Sequence, residues 1–392
     1  MKRFLFVVPP FMGHVNPTLS LGKALLERGH EVAWQSVDEH LGTMIPYGGQ
    51  YFGVRAAAYA SDGQDHDDYR NKISSKNVTG IESVKFLYEE VLIPLNRYMY
   101  QGIKACVAAY KPDIIIHDHQ LFSGAIVALQ QGVKYATSVT APAAIKMQQD
   151  LPGVSQWEDR QIIDLQHELN LRVDDSVACS PTLTLIYTSP EFFGDVEPKK
   201  GYRFVGPSIT NRPTHYPFDW VAFGNLKYPK KVLVSIGTTF DHTSKKEFFS
   251  KVIAALGGQE MAVVVVSDPD LFDMWPSNFY VAHKIPQLTL LPLMDAVICH
   301  GGHNTVCESL MNGIPLVVVP IAYDQSYVAG RVVATACGIR LNYKRFKADQ
   351  LNAAVKQVLH NAAFKEAALE QKEIFEQCGG VATAADLLEH HV

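Results

Sequence analysis

Residues 4–36 read FLFVVPPFMGHVNPTLSLGKALLERGHEVAWQS. Two apolar runs, FLFVV (4–8) and EVAWQS (31–36), enclose a segment with helical punctuation. Asn16 is expected as an N-cap, Pro17 at the first helical position and Gly29 just past the end. Both runs are continuous rather than alternating, as expected of parallel strands covered on both faces. Strand, helix and strand in this order predict an α/β doubly wound sheet.

The pattern continues outward. Further strands are expected at DIIIHD (113–118), KYATSVT (134–140) and LTLIYTS (183–189). A second series follows at KVLVSIG (231–237), MAVVVVS (261–267), FYVA (279–282), DAVICH (295–300) and PLVVVP (315–320). Between the series, residues 205–230 carry four prolines and no apolar period, which reads as a linker. The expected organisation is an N-terminal domain (1–206), a linker (207–229), a C-terminal domain (230–375) and a final helix (376–392). The break CGGVA (378–382) lets that helix turn and pack elsewhere.

Composition removes several function classes. With 392 residues the chain is long enough for two domains, and 47% hydrophobic against 19% charged residues allows large cores. A formal net charge of −5 and no basic block argue against a nucleic-acid partner. Six cysteines with no CxxC pair fit reduced thiols in a cytoplasmic protein. The start MKRFLFVVPP is too short and proline-broken for a signal peptide, and no run is long enough to span a bilayer. The acidic segment 60–71 reads as a solvated surface loop.

Five motifs fall where parallel sheets bind ligands, at the carboxyl ends of strands. In PPFMGHVNP (9–17), Gly13 permits a tight turn that presents His14. His14 is read either as a general base, since imidazole takes a proton near neutral pH, or as a loop histidine satisfied by backbone. Asp118 ends DIIIHD on the same rim and is the candidate to orient a base histidine. His117 and His119 flank it; strand alternation puts both on the other face, so no metal site is expected. SIGTT (235–239) ends the first strand of the second series, a glycine followed by hydroxyls suited to phosphate oxygens. HGGHNTVCES (300–309) is a glycine turn into a helix capped by Asn304 or Thr305, an anion cradle with Glu308 one turn on. PIAYDQ (320–325) offers Asp324 and Gln325 to sugar hydroxyls.

Taken in order, GHVNP, SIGTT, IPQL, HGGHNTVCES and PIAYDQ resemble the UDP-glycosyltransferase family, inverting enzymes of the GT-B fold with two Rossmann-like domains. The resemblance runs from Phe4 to about Glu389 and is nearest in kind to bacterial natural-product members, such as macrolide and zeaxanthin glucosyltransferases. It implies that His14 is the catalytic base and Asp118 its orienting aspartate. It implies donor contacts from Gly13, Thr238, Ile285, Gln287, His300, Gly302, Asn304, Thr305, Glu308, Asp324 and Gln325. Phe11, Met12 and Phe122 are expected to line an acceptor site. In HKIPQ, Lys284 stands where many members stack a tryptophan on the uracil, which leaves a dTDP-sugar possible beside a UDP-sugar. His303 has no assigned role.

The implied activity is transfer of a hexose, glucose, to a hydroxyl of a hydrophobic small molecule, with the nucleotide sugar as co-substrate and no metal or other cofactor. Two alternatives are a UDP-sugar epimerase-like isomerase on the same fold and a non-catalytic nucleotide-sugar-binding protein.

Overall fold

The computed structural model describes residues 1–54, 81–194, 199–210, 217–237, 242–322 and 324–392. The chain divides into two compact units. One comprises Met1–Thr210 with Gln377–Val392, the other Asn211–Glu376.

The N-terminal unit holds a seven-stranded parallel sheet of β1 (Arg3–Val7), β2 (Glu31–Ser36), β3 (Gln50–Gly53), β4 (Ile114–Asp118), β5 (Lys134–Val139), β6 (Thr184–Ile186) and β7 (Tyr202–Phe204). Their order is β3-β2-β1-β4-β5-β6-β7. The reversal at β1 and β4 is the switch point of a doubly wound sheet, and these two strands pair with Phe4 beside Ile114 and Val7 beside His117. Around the sheet lie α1 (Met12–Glu27), α2 (Ile93–Tyr110), α3 (Ser123–Gln131), α4 (Pro142–Asp150) and α5 (Pro152–Glu168).

Alternation along the strands decides which helix each residue meets. Leu5, Val7 and Ile115 join the core under α2, α3 and α5. Phe4, Phe6, Ile114 and Ile116 join a second core with Leu21 and Leu25 of α1. There Phe6 stacks on Trp34 with centroids 5.4 Å apart. A Cβ added at Gly22 would lie 2.1 Å from the Trp34 ring, so α1 approaches the sheet this closely only because residue 22 has no side chain. The Trp34 indole N–H donates to Thr18 Oγ1 at 3.2 Å, which pins α1 to β2.

The C-terminal unit holds a six-stranded parallel sheet: β8 (Lys231–Ser235), β9 (Ala262–Val266), β10 (Phe279–Ala282), β11 (Ala296–Cys299), β12 (Leu316–Val318) and β13 (Gly338–Arg340). Its order, β10-β9-β8-β11-β12-β13, repeats the same reversal, here between β8 and β11. Its longer helices are α6 (His242–Leu256), α7 (His303–Leu310), α8 (Gln325–Ala334), α9 (Ala348–His360) and α10 (Ala362–Gln377). Val232, Val234 and Ile298 pack with Phe249 of α6 and Val355 of α9.

The last helix, α11 (Gly380–His391), returns to the N-terminal unit through Gly379 and Gly380, both with positive φ. Ala384, Ala385 and Leu388 enter the core of α1. Arg28 reaches Asp386 at 2.6 Å and Glu389 at 2.7 Å.

Two boundaries differ from the sequence reading. Helix α1 begins at Met12, not after Asn16, because the Phe11 carbonyl accepts from the N–H groups of His14 and Val15 at 2.8 and 3.0 Å. Pro17 therefore lies inside the helix, and His14 belongs to its first turn. Helix α7 is capped at Gly302, not at Asn304 or Thr305. The acidic segment 60–71 lies outside the described residues.

Candidate active site

In the N-terminal unit, Asp118 ends β4 on the strand face that α1 covers, and its side chain is fully buried. The first turn of α1 brings His14 over it. His14 Nδ1 lies 3.0 Å from each carboxylate oxygen, and its side chain stays 14% exposed, so one edge of the ring is reachable from outside. Thr140, just past β5, donates its hydroxyl to Asp118 Oδ2 at 2.7 Å and stands 2.7 Å from His14 Nδ1. The Gln120 backbone N–H donates to Asp118 Oδ1 at 3.0 Å. Nothing in the sequence singled out Thr140; only the pairing of β4 with β5 places its hydroxyl here.

Burial by itself would raise the Asp118 carboxyl, but attraction to His14 and His119 and the hydrogen bond from His14 outweigh it. The group is held well below the usual carboxylate range. A carboxylate charged at every physiological pH fixes the N–H of His14 at Nδ1 and leaves Nε2 as the proton acceptor.

The two histidines beside Asp118 part ways. His117 points to the opposite face, as alternation requires. Its Nδ1 donates to the Asp118 carbonyl at 3.0 Å and its Nε2 accepts from Thr137 at 2.8 Å. Burial pushes it down to about 4, so it is neutral. His119 does not follow the expectation. Strand β4 ends at Asp118, so alternation stops there. His119 Nδ1 lies 3.4 Å from Asp118 Oδ1, and its ring stacks on that of His14 with centroids 5.7 Å apart and 13° between planes.

Phe11 packs edge-on to His14 at 5.8 Å, and Phe11 and Met12 are half-buried. Phe122 is not a surface for an acceptor. It is fully buried, stacked under Tyr88 at 6.2 Å, because it immediately precedes α3 on the core side.

In the C-terminal unit, His300 follows β11 and is wedged between glycines. A Cβ on Gly302 would meet His300 Nε2 at 2.6 Å, and one on Gly237 would meet its Cε1 at 2.9 Å. The two glycines thus make room for an imidazole ring. Burial pushes His300 down to about 4, partly offset by a backbone hydrogen bond at Ser235, and the ring is neutral. Gly301, at φ +87°, backs onto the Gln325 carbonyl and joins the turn before α7 to the start of α8.

Gln287 Nε2 donates to Glu308 Oε2 at 2.6 Å, so these two expected donor contacts form one unit. Asn304 and Thr305 occupy the first turn of α7 and are half-buried, while Ile285 is buried. Gln325 has work within its own loop: its Oε1 accepts from the N–H groups of Ile321 and Ala322 at 2.9 and 3.0 Å. Only its amide N–H groups are left for a sugar hydroxyl. Asp324 stands at the N-cap of α8. His303 is buried with Nε2 3.4 Å from the sulfur of Cys307 one turn on, a packing position. Thr238 lies outside the described residues.

Comparisons with known proteins agree with this layout. Residues 250–377 match the family described as Erythromycin biosynthesis protein CIII-like, C-terminal domain. The chain is 26% identical to the uncharacterised UDP-glucosyltransferase YojK of Bacillus subtilis, with 98% of this chain and 96% of that one aligned. It is 25% identical to 4'-demethylrebeccamycin synthase of Lentzea aerocolonigenes, over 99% of both. The solved structure of the kitacinnamycin glycotransferase superposes with a TM-score of 0.76 at 21% identity, covering 100% of this chain and 99% of that one. The fold is GT-B, the chain is a glycosyltransferase, and it resembles the bacterial natural-product members of the UDP-glycosyltransferase family.

Proposed function

We propose that this enzyme moves glucose from a UDP-sugar to a hydroxyl of a hydrophobic small-molecule natural product, with inversion at the anomeric carbon. The observation that carries the reading is the His14–Asp118 pair: a partly exposed imidazole whose Nδ1 is engaged by a buried carboxylate at 3.0 Å. A ring held this way at Nδ1 is oriented to take a proton at Nε2.

The acceptor hydroxyl gives its proton to His14 Nε2 while its oxygen bonds to the anomeric carbon. The bond from that carbon to the diphosphate oxygen breaks, and its electron pair leaves with the diphosphate. The N-terminal N–H groups of α7 and the neutral His300 supply donors for the leaving group. Glu308, held by Gln287, accepts from ribose hydroxyls. Asp324 and the Gln325 amide face the sugar. This scheme needs no metal, because oriented N–H groups do the neutralising. Partners are then two small molecules; among the described residues no helix is long and apolar enough to cross a membrane.

An epimerase-like isomerase or a silent binding protein is not favoured, since the full-length relatives compared are named a transferase and a synthase. The test is a matrix of UDP- and dTDP-sugars against phenolic, macrolide and carotenoid acceptors, scored by product mass and anomeric configuration. A β-glucoside formed from UDP-glucose, with EDTA present, is the expected result. Turnover of the nucleotide sugar with no acceptor product, or a sugar epimer in its place, would overturn the reading. Faster transfer from dTDP-sugars would move the nucleotide assignment and leave the reaction standing; Lys284, exposed where relatives stack a ring, makes this the assignment to press.

A further inference from the structure

One group in the N-terminal unit is not absorbed by this chemistry. His119 is 7% exposed, and neither of its ring nitrogens has a hydrogen-bond partner. Leaving both nitrogens of a buried imidazole unsatisfied is costly, and such a group calls for an explanation. Its Nδ1 faces Asp118 Oδ1 at 3.4 Å without the alignment of a hydrogen bond. One ligand atom each from His14, Asp118 and His119 lie within 4.8 Å of one another. Two imidazole nitrogens and a carboxylate oxygen are a donor set for a tetrahedral transition metal.

We propose that His14, Asp118 and His119 form a binding site for a divalent transition-metal ion, zinc foremost, which takes the place of the proton that His14 shares with Asp118. Two of the three distances suit the exchange, and His14 and His119, whose ligand atoms lie within 4.8 Å, close on the ion. Tetrahedral ligands about 2.0–2.1 Å from zinc stand somewhat over 3 Å apart, close to the 3.0 Å from His14 Nδ1 to Asp118 and the 3.4 Å from Asp118 to His119. The ring changes tautomer: the His14 Nδ1–H bond breaks and its proton goes to solvent while Nε2 takes one up, so the ring stays neutral and the Nδ1 lone pair binds the ion. The carboxylate is already charged, and His119 contributes a lone pair from its neutral ring. Water or the Thr140 hydroxyl, 2.7 Å from both Asp118 Oδ2 and His14 Nδ1, fills the fourth position.

The ion is an inhibitor in this scheme, not a cofactor. A metal on Nδ1 holds the neutral ring in the tautomer with its proton on Nε2, and that nitrogen then has no lone pair for the acceptor's proton. Binding itself does not depend on the glycosyltransfer reading; inhibition does.

The experiment uses EDTA-treated, desalted full-length enzyme titrated with zinc against a chromogenic chelator. One ion per chain is expected. His119→Asn should lower its affinity roughly 100-fold or more, since removal of a mere outer-shell partner already costs 10–100-fold. His119→Gln is the second variant should the first fold poorly, and Co2+ added to the unaltered enzyme should show the visible bands of a tetrahedral site. The double variant His390→Gln, His391→Gln controls for the C-terminal histidines. Loss of binding in that control alone, unchanged affinity in both His119 variants, or no stoichiometric ion would overturn the proposal. Zinc that binds at this site and leaves transfer rates untouched would keep the site and remove His14 as the base.

Discussion

His14 and His300 occupy matching places in the two units. Each follows a parallel strand on the side of its carboxyl end, His14 in the first turn of α1 and His300 just before α7, and each sits next to a glycine. Their surroundings differ in kind. His14 faces a buried carboxylate and a hydroxyl and keeps one edge exposed. His300 is enclosed by Gly237 and Gly302, and burial pushes it down to about 4. One residue type thus meets a buried carboxylate in one unit and a tight, uncharged place in the other, which is why we propose a proton acceptor in the first and a neutral donor in the second. Charge and space around the ring assign the role, not the ring itself.

The sharpest way to break this division is to remove each ring in turn. His14→Ala should lower kcat by about 10²–10⁴-fold, the usual worth of a general base, with donor KM little changed. His300→Ala should act mainly through donor KM. Steady-state kinetics with UDP-glucose reads both. If the two variants lose kcat alike at constant KM, the histidines do the same job and the contrast fails.

Acid tests the neutral, buried rings by a second route, through stability. His117, fully buried, is pushed down to about 4 from an ordinary 6.5. Its folded form binds a proton less readily than the unfolded chain, so stability is complete above pH 6.5 and falls as pH drops toward 4. A difference of 6.5 − 4 = 2.5 units corresponds to at most about 3 kcal/mol at about 1.4 kcal/mol per unit. His300 shifts in the same direction. Asp118 acts in the same direction at lower pH: its depressed carboxyl contributes in full above the ordinary carboxylate range and loses that contribution as pH falls below it. Urea unfolding at pH 7, 5.5 and 4.5 should show the decline, and His117→Gln should flatten it. A flat profile in the unaltered enzyme would mean these rings are charged or wet.

How far the sequence carried each site follows from the same physics. The ten apolar runs that became strands are mostly interior ones, where both faces are covered and the run is unbroken. Gln50–Gly53, Tyr202–Phe204 and Gly338–Arg340 went unread because they are edge strands of three or four residues. An edge needs no continuous apolar run. His14 and Asp118 were legible as a pair because both fall at strand ends on one rim. Thr140 and His119 were not. Thr140 depends on strand order, and His119 on the residue at which β4 stops, which alternation alone cannot give. Gln325 was legible as a polar rim residue, but its bonds to Ile321 and Ala322 belong to loop geometry.

The smallest expected effect tests the glycine side of the comparison. Gly302 has φ −62°, which any residue adopts, so alanine brings no backbone strain there. What it brings is a Cβ 2.6 Å from His300 Nε2. Overpacking of this kind costs about 1–3 kcal/mol, and the displaced ring should raise donor KM as well. The test is a double-mutant cycle on thermal and urea stability. If the ring is what Gly302 makes room for, His300→Ala relieves the clash, and the double variant is more stable than the sum of the single losses predicts, by about 0.5–3 kcal/mol. Additive losses would mean that the glycine serves the chain's turn and not the ring, and the C-terminal histidine would lose its claim to a built place.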